Sequence, residues 1–521
     1  PNTGEKSAGV ISPNARLDVL RDDYDFAAKA ERQLQNLPTM SVEVLQVDGA
    51  LIPVVRGPVR GDHPHWEYSV EPGAVWHTAD AGGYSRATLP FTLREKNANC
   101  SHNGVMSFVF RQTPQDSGVT FEVSSAVYQV VSETCMYLKF NAWGRLSVEH
   151  EATGLEDARA LGNRFTQEQV NRLPQQPIEA LLKRYPTLTL KDFDQREQIN
   201  TEHISTYGLV VDGVHYVSGC PTRAGAYPFC DVMLLPSYSL AKSLFAGLTL
   251  MRLENAYPGT RHEKIVNYVP ECQAAGHWGD VTFEQALNMV TGVHNSLDDR
   301  ADEFSVEMDQ RFFFAESHAD KINYACSGLE QKIPAGERWV YHTSDTYVLM
   351  TAVDQYLKTQ LGGQTDIYRD VFAESHRLAL SPVAEHTMRT YDERAQPLGG
   401  FGLSLYRDDI ARLAQFINGP AASADWLDDG LYRQAMQRNL DDLGYHAADL
   451  PMRYQQGFWT ANYASLLGCE QDVWVPQMIG YGGITVLLFA NGVSFYLFSD
   501  GGEFNINGAV KAAHTIAPLC T

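Results

Sequence analysis

Long apolar runs are missing from this 521-residue chain. The longest candidates carry Lys242 or Asn491-Gly492 inside them, so none gives the roughly 20 apolar residues of a membrane helix. Positive charge is also scarce, with 41 Lys and Arg against 63 Asp and Glu and a formal net charge of −22. That balance disfavours nucleic acid or an anionic membrane surface as partner. No Cys-x-x-Cys occurs, and the cysteines are scattered, which speaks against a zinc site. No partner ligands for His63-Pro64-His65 come into view along the chain, and no catalytic metal or other cofactor is expected. Internal repeats and low-complexity segments are absent as well.

What is present is ordinary for a soluble globular chain: 44% apolar and 20% charged residues. The cysteines form an even set of 8, read as four disulfides in an oxidising compartment. On the order of a hundred connectivities are open to such a set. Pairing of sequence neighbours (100–135, 220–230, 272–326, 469–520) is the simplest. An opening at Pro1 is what a removed signal peptide or a trimmed sequence would leave. A secreted or periplasmic location is expected.

The chain changes character twice. Residues 14–37 read as an amphipathic helix ended by Pro38. From about 42 to 150, short β-like runs such as Val105–Phe110 and Val119–Val123 alternate with turns, which suggests a sandwich-like domain. Trp66, Trp76 and several tyrosines could there serve carbohydrate binding, but the core of a small sandwich is the simpler reading. Residues 155–196 read as a charged helical connector. Beyond 200, a hairpin turns at Asp212-Gly213, a helical middle runs from 280 to 440, and a second hairpin turns at Asn491-Gly492. Strands at both ends with helices between them imply an α+β domain built on one sheet. The division expected is an N-terminal accessory domain at 1–195 and a catalytic domain at 196–521.

Within the second domain, Ser239-Leu240-Ala241-Lys242 is the one Ser-x-x-Lys of the chain. It follows the short apolar run 231–236 and opens an apolar segment that suits a buried helix. One helical turn puts hydroxyl and amine on one face. Burial lowers the amine pKa until it can accept the serine proton, and the helix N-terminus favours the charge that develops. The competing reading is a helix cap followed by a solvated lysine, which the apolar surroundings disfavour.

Further along stand Tyr341-His342-Thr343, after the Pro334–Trp339 turn, and Gly480-Tyr481-Gly482-Gly483, which enters the last hairpin. This order resembles the serine β-lactamase and penicillin-binding superfamily, nearest to its class C and esterase/D-aminopeptidase branch. Segments 267–270, 280–292 and 399–411 resemble further parts of that family, and nothing before about 195 does. The resemblance implies a β-lactamase/transpeptidase-like antiparallel sheet with a helical subdomain. It also implies roles: Ser239 as acylated nucleophile, Lys242 as proton acceptor, and Tyr341 as partner base and then acid with a lowered phenol pKa. The N–H groups of Ser239 and Ile484 would form the oxyanion hole. Thr343, Tyr481, Gly482 and Gly483 would meet the substrate.

Two departures from the family pattern narrow the expectation. Thr343 stands for the family asparagine, and Tyr481 for its lysine or histidine. These changes remove a carboxamide and a carboxylate-pairing cation, so a β-lactamase is not expected. His342 is read as pointing away from the site. The expected activity is a secreted serine hydrolase that cleaves an ester or amide of a small-molecule or peptide substrate. One alternative is a peptidase of D-amino-acid or nonribosomal-type peptides. Another, of a different class, is a non-turnover penicillin-binding or sensor-like protein, which would have had no need of Tyr341. No oligomeric state is assigned.

Overall fold

The computed structural model describes the chain except for residues 1–7, 13–18, 24–33, 35–37, 80–81, 116–117, 132–133, 153–156, 195–198, 374–377, 420–425, 448–450 and 521. Most of the helix expected at 14–37 lies outside the described residues. The part that is described includes a short strand, Arg21–Asp22, paired with Asn141–Leu146.

The N-terminal strands form one antiparallel sheet of 12. Two long strands, Ser85–Glu95 and Ser101–Gln115, organise it. The first pairs with Gly73–His77 along one half and with Trp66–Val70 along the other. The second pairs with Ser85–Glu95, Gly118–Val123 and Ala126–Val131. The sheet therefore forks instead of splitting into two separate sheets, and its strands share a core around Trp66, Phe91 and Phe140. Trp66 is fully buried there, as the sandwich-core reading expected, whereas Trp76 is 41% exposed at a strand end.

The second sheet has 9 strands. In spatial order these are Gln175–Pro177, Val214–Val217, Ile204–Val211, Ser494–Ser499, Ile484–Leu488, Trp474–Gly480, Phe458–Asn462, Met452–Gln455 and Tyr445–His446. Every pairing is antiparallel except the first. Both expected hairpins form, and Asp212 and Gly213 take left-handed φ values of 51° and 75°, as a primed two-residue turn needs. Residues 175–177 join this sheet ahead of the boundary expected at 195. The helix Ile178–Arg184 and Phe193 pack into its core, so part of the connector belongs structurally to the second unit.

Strand alternation explains the near-continuous apolar hairpin. Ile484, Val486, Leu488, Tyr496 and Phe498 face one core, while Leu487, Phe495 and Leu497 face the other. Helix Asn507–Ile516 covers the second face. The first face carries helices Leu248–Ala256, Thr343–Leu361 and Arg407–Asn418. All four neighbour disulfides are present: Cys100–Cys135, Cys220–Cys230, Cys272–Cys326 and Cys469–Cys520. Among the described residues, no helix is long and apolar enough to cross a membrane.

Candidate active site

Ser239 sits where strand Leu235–Pro236 gives way to a helix. Tyr238, immediately before it, holds a left-handed φ of 40°, a strained conformation for a bulky residue. The tight turn lifts Ser239 out of the core, so it is half-buried while Tyr238 and Leu240 are buried. The helix that follows widens to π geometry over Lys242–Gly247. Gly457 fits against that widening, where an added Cβ would lie 2.6 Å from the Lys242 carbonyl, and Ser243 Oγ donates to the Gly457 carbonyl at 2.6 Å. One turn on from Ser239, Lys242 is 1% exposed.

The two residues meet as the helical spacing requires. Lys242 Nζ donates to Ser239 Oγ at 2.9 Å, to Thr343 Oγ1 at 2.8 Å and to the Gly400 carbonyl at 3.2 Å. Tyr341 OH donates to Ser239 Oγ at 2.7 Å. The Tyr341 ring lies 4.9 Å from Nζ and packs on Trp339 and Trp459, which fixes its direction. Burial brings the Lys242 pKa down to about 8, with the charge of Glu303 opposing the fall. Tyr341 departs from the expected lowered phenol pKa. Burial, reinforced by Glu303, holds it well above the ordinary phenol range, so it works as a neutral O–H.

Glu303 stands in no motif that would single it out along the chain. It becomes visible only through contacts. It is buried, accepts from Thr343 N at 2.7 Å at the start of helix Thr343–Leu361, and also accepts from Thr343 Oγ1. The Thr343 hydroxyl therefore lies between Lys242 and Glu303. Burial raises the Glu303 pKa against the pull of Lys242 and Thr343. His342 points elsewhere, with Nε2 3.3 Å from Asp302 and Nδ1 3.7 Å from Asp345. Burial disfavours its charge, yet the hydrogen bond to Asp302 and the nearby carboxylate of Asp345 raise its pKa to about 10.

Ser239 opens into a cavity of about 370 Å³ lined by both units. The N-terminal unit supplies Asn97, Ala98, Asn99 and Tyr137, and the second supplies Tyr238, Phe304, Phe313, Phe314, Phe401 and Tyr481. Glu303 and Asp309 are its acidic lining groups, and no Arg or Lys is among the described lining residues. The Tyr481 ring lies tilted against its neighbours, 5.6 Å from that of Tyr238 and 6.4 Å from that of Tyr137. Tyr137 OH donates to Glu95 at 2.7 Å.

The turn beyond Tyr481 faces another way. Gly482 and Gly483 have φ values of 94° and 106°, and their carbonyls accept from Ser499 Oγ at 3.2 and 3.4 Å. A Cβ on Gly483 would meet Ser499 Oγ at 2.2 Å. These glycines answer to packing against the neighbouring strand, and Ile484 begins its strand opposite Gly480 with its side chain in the core. Gly480 makes the close approach to the nucleophile turn, where a Cβ would lie 2.7 Å from the Ser237 carbonyl. Ser239, Thr343 and Tyr481 thus line one cavity, and the buried Lys242 and Tyr341 meet Ser239 Oγ at its wall.

No family model matches the sequence, and no curated protein matches it. Among solved structures, the chain is similar to a proposed 6-aminohexanoate-dimer hydrolase from Bacillus anthracis, with TM-score 0.48 and 14% identity over 67% of this chain and 89% of that one. It is similar to a penicillin binding protein from Bacillus halodurans, with TM-score 0.44 and 13% identity over 64% and 99%. It is also similar to EstCE1, a hydrolase with promiscuous acyltransferase activity, with TM-score 0.43 and 14% identity over 65% and 99%.

Proposed function

We propose that the protein is a serine hydrolase that cleaves an ester or amide through an acyl-enzyme on Ser239. The observation that carries this reading is the convergence of Lys242 Nζ and Tyr341 OH on Ser239 Oγ, at 2.9 and 2.7 Å, beside an open cavity. With its pKa lowered to about 8, Lys242 can shed its proton near neutral pH and accept the one from Ser239. Tyr341 stays protonated and donates to Oγ, which stabilises the alkoxide as it forms. Once the carbonyl is attacked, the Lys242 ammonium returns its proton through the phenol to the leaving group. The N–H groups of Ser239 and Ile484 are the proposed oxyanion donors. Thr343 and Glu303 hold the amine in place and supply the counter-charge for its protonated form.

The cavity supports a narrower substrate class: an apolar or aromatic acyl group without a carboxylate. Its walls are mostly phenyl and phenol rings, and both charged lining groups other than the reacting ones are carboxyls. An anionic acyl group would meet Glu303 and Asp309, and no Arg or Lys is among the described lining residues to offset them. A peptidase or amidase acting on uncharged acyl groups fits the same walls.

The test is labelling with a fluorophosphonate probe and turnover of short p-nitrophenyl esters, each repeated with Ser239→Ala and with nitrocefin as the β-lactam comparison. The parent should be labelled and should turn over esters but not nitrocefin, and the variant should do neither. A parent that shows no labelling and no turnover would sink the hydrolase reading in favour of a binding protein.

A further inference from the structure

We infer that Asn99, a residue of the N-terminal unit, is a positioning residue for the nucleophile. This rests on the reading of Ser239 above. Asn99 is 2% exposed and lies just after strand Ser85–Glu95. Its Oδ1 accepts from Tyr238 N at 2.7 Å and from Gly402 N at 3.0 Å, and its Nδ2 donates to the Leu403 carbonyl at 3.3 Å. Two backbone N–H groups aimed at one atom fix which end of the amide is oxygen. The Ser237 hydroxyl lies 3.1 Å from the same oxygen and 3.0 Å from the Tyr238 carbonyl.

These contacts grip two segments at once. One is the strained turn 237–238, whose next residue is the nucleophile. The other is 402–403, two residues beyond Gly400, whose carbonyl holds Lys242 Nζ. One side chain from a distant part of the sequence therefore sets the spacing between the support of Ser239 and the support of its base. A left-handed tyrosine is unfavourable by itself and persists only where its surroundings impose it. Asn99 supplies such an imposition by satisfying the N–H that the turn presents to the buried interface. Its own position is anchored next door, because Cys100 is bridged to Cys135.

Asn103 provides an internal comparison. It too reaches across from the N-terminal sheet, with Oδ1 accepting from Leu234 N at 3.0 Å and Nδ2 donating to the Leu234 carbonyl at 3.0 Å. It makes similar amide contacts of the same chemical kind, but to a residue well upstream of the nucleophile. If Asn99 only helped to join the two units, Asn99→Ala and Asn103→Ala would behave alike.

The experiment measures the rate of Ser239 labelling by the fluorophosphonate, ester kcat and KM, and thermal unfolding for the parent, Asn99→Ala, Asn99→Asp and Asn103→Ala. The expected result is a fall in labelling rate and kcat of about 10- to 100-fold for Asn99→Ala with KM nearly unchanged. Asn99→Asp, which keeps the oxygen that receives both N–H groups, should recover part of that loss. Asn103→Ala should unfold at lower temperature yet keep the parent labelling rate. Should Asn99→Ala fail to fold, the contrast between Asn99→Asp and Asn103→Ala decides: a labelling defect in the first alone supports positioning. Equal defects at the two asparagines, or an Asn99→Ala protein that labels at the parent rate, overturn the inference and leave the hydrolase reading standing. A parent without labelling overturns both.

Discussion

The two sides of the cleft are built on different principles. On the side of the second unit, four polar groups (Ser239, Lys242, Tyr341 and Thr343) are joined by hydrogen bonds of 2.7–2.9 Å within a hydrophobic core. Among the described residues, the N-terminal side contributes no side chain that bonds to the Ser239 hydroxyl. It brings the Tyr137 ring, and two asparagines whose amides bond to the backbone of the nucleophile segment. A third zone of contact differs from both. There the buried Arg56 of the N-terminal unit bonds to Glu168 and to Tyr406 OH at 3.1 Å, and Tyr406 donates to Glu71. Side chain to side chain, that network docks the units. The asparagine contacts act on main chain, so they also set geometry. The contrast separates side chains of the second unit, which bond to Ser239 or Lys242 directly, from amides of the N-terminal unit, which bond to the main chain beside them.

The contrast can be broken hardest from the reacting side. Lys242→Met keeps the length of the side chain but removes the proton acceptor. Acylation of Ser239 should fall by about 10³-fold or more, with the fold retained by far-UV circular dichroism. A smaller effect is expected from the opposite wall. Tyr137→Ala should raise KM for apolar acyl esters about tenfold and change kcat little, since the ring touches the acyl group and not the reacting atoms. If kcat fell instead, the N-terminal wall would have to take part in the chemistry.

The smallest effect concerns stability alone. His342 has a folded pKa near 10 against an ordinary value of 6.5, so the stability it adds is fully present below about pH 6.5 and lost as pH rises through about 10. The difference in denaturant midpoint between the parent and His342→Gln should therefore be largest at pH 6 and shrink toward pH 10. A difference that grows with pH would show that the imidazole is neutral in the fold.

Legibility from sequence follows the same division. The Ser-x-x-Lys spacing is a local fact of helical geometry, and both hairpins carried their turn residues with them, so these parts could be read directly. Tyr341 and Tyr481 were found through their order along the chain. Glu303 left no trace because its role depends on which helix start it faces, a tertiary matter. Asn99 and Tyr137 were missed for the same reason, although each lies close to a cysteine of the 100–135 pair. That neighbouring bridge ties together the two segments that reach the cleft, and it was the one available hint. In place of the lowered phenol pKa expected for Tyr341, burial of the ring, with Glu303 nearby, holds it well above the ordinary range against the hydrogen bonds of Ser239 and Thr343. Gly482 and Gly483, expected to meet the substrate, pack their turn against Ser499.

In the proposed mechanism, a buried, partly neutral Lys242 makes Ser239 a nucleophile. The most direct test is the pseudo-first-order rate of fluorophosphonate labelling as a function of pH, with the labelled peptide identified by mass spectrometry. The expected result is the label on Ser239, a rate that climbs through a single midpoint near pH 8, and no such climb in Lys242→Met. A rate independent of pH from 6 to 10, or a label on any other residue, would contradict it.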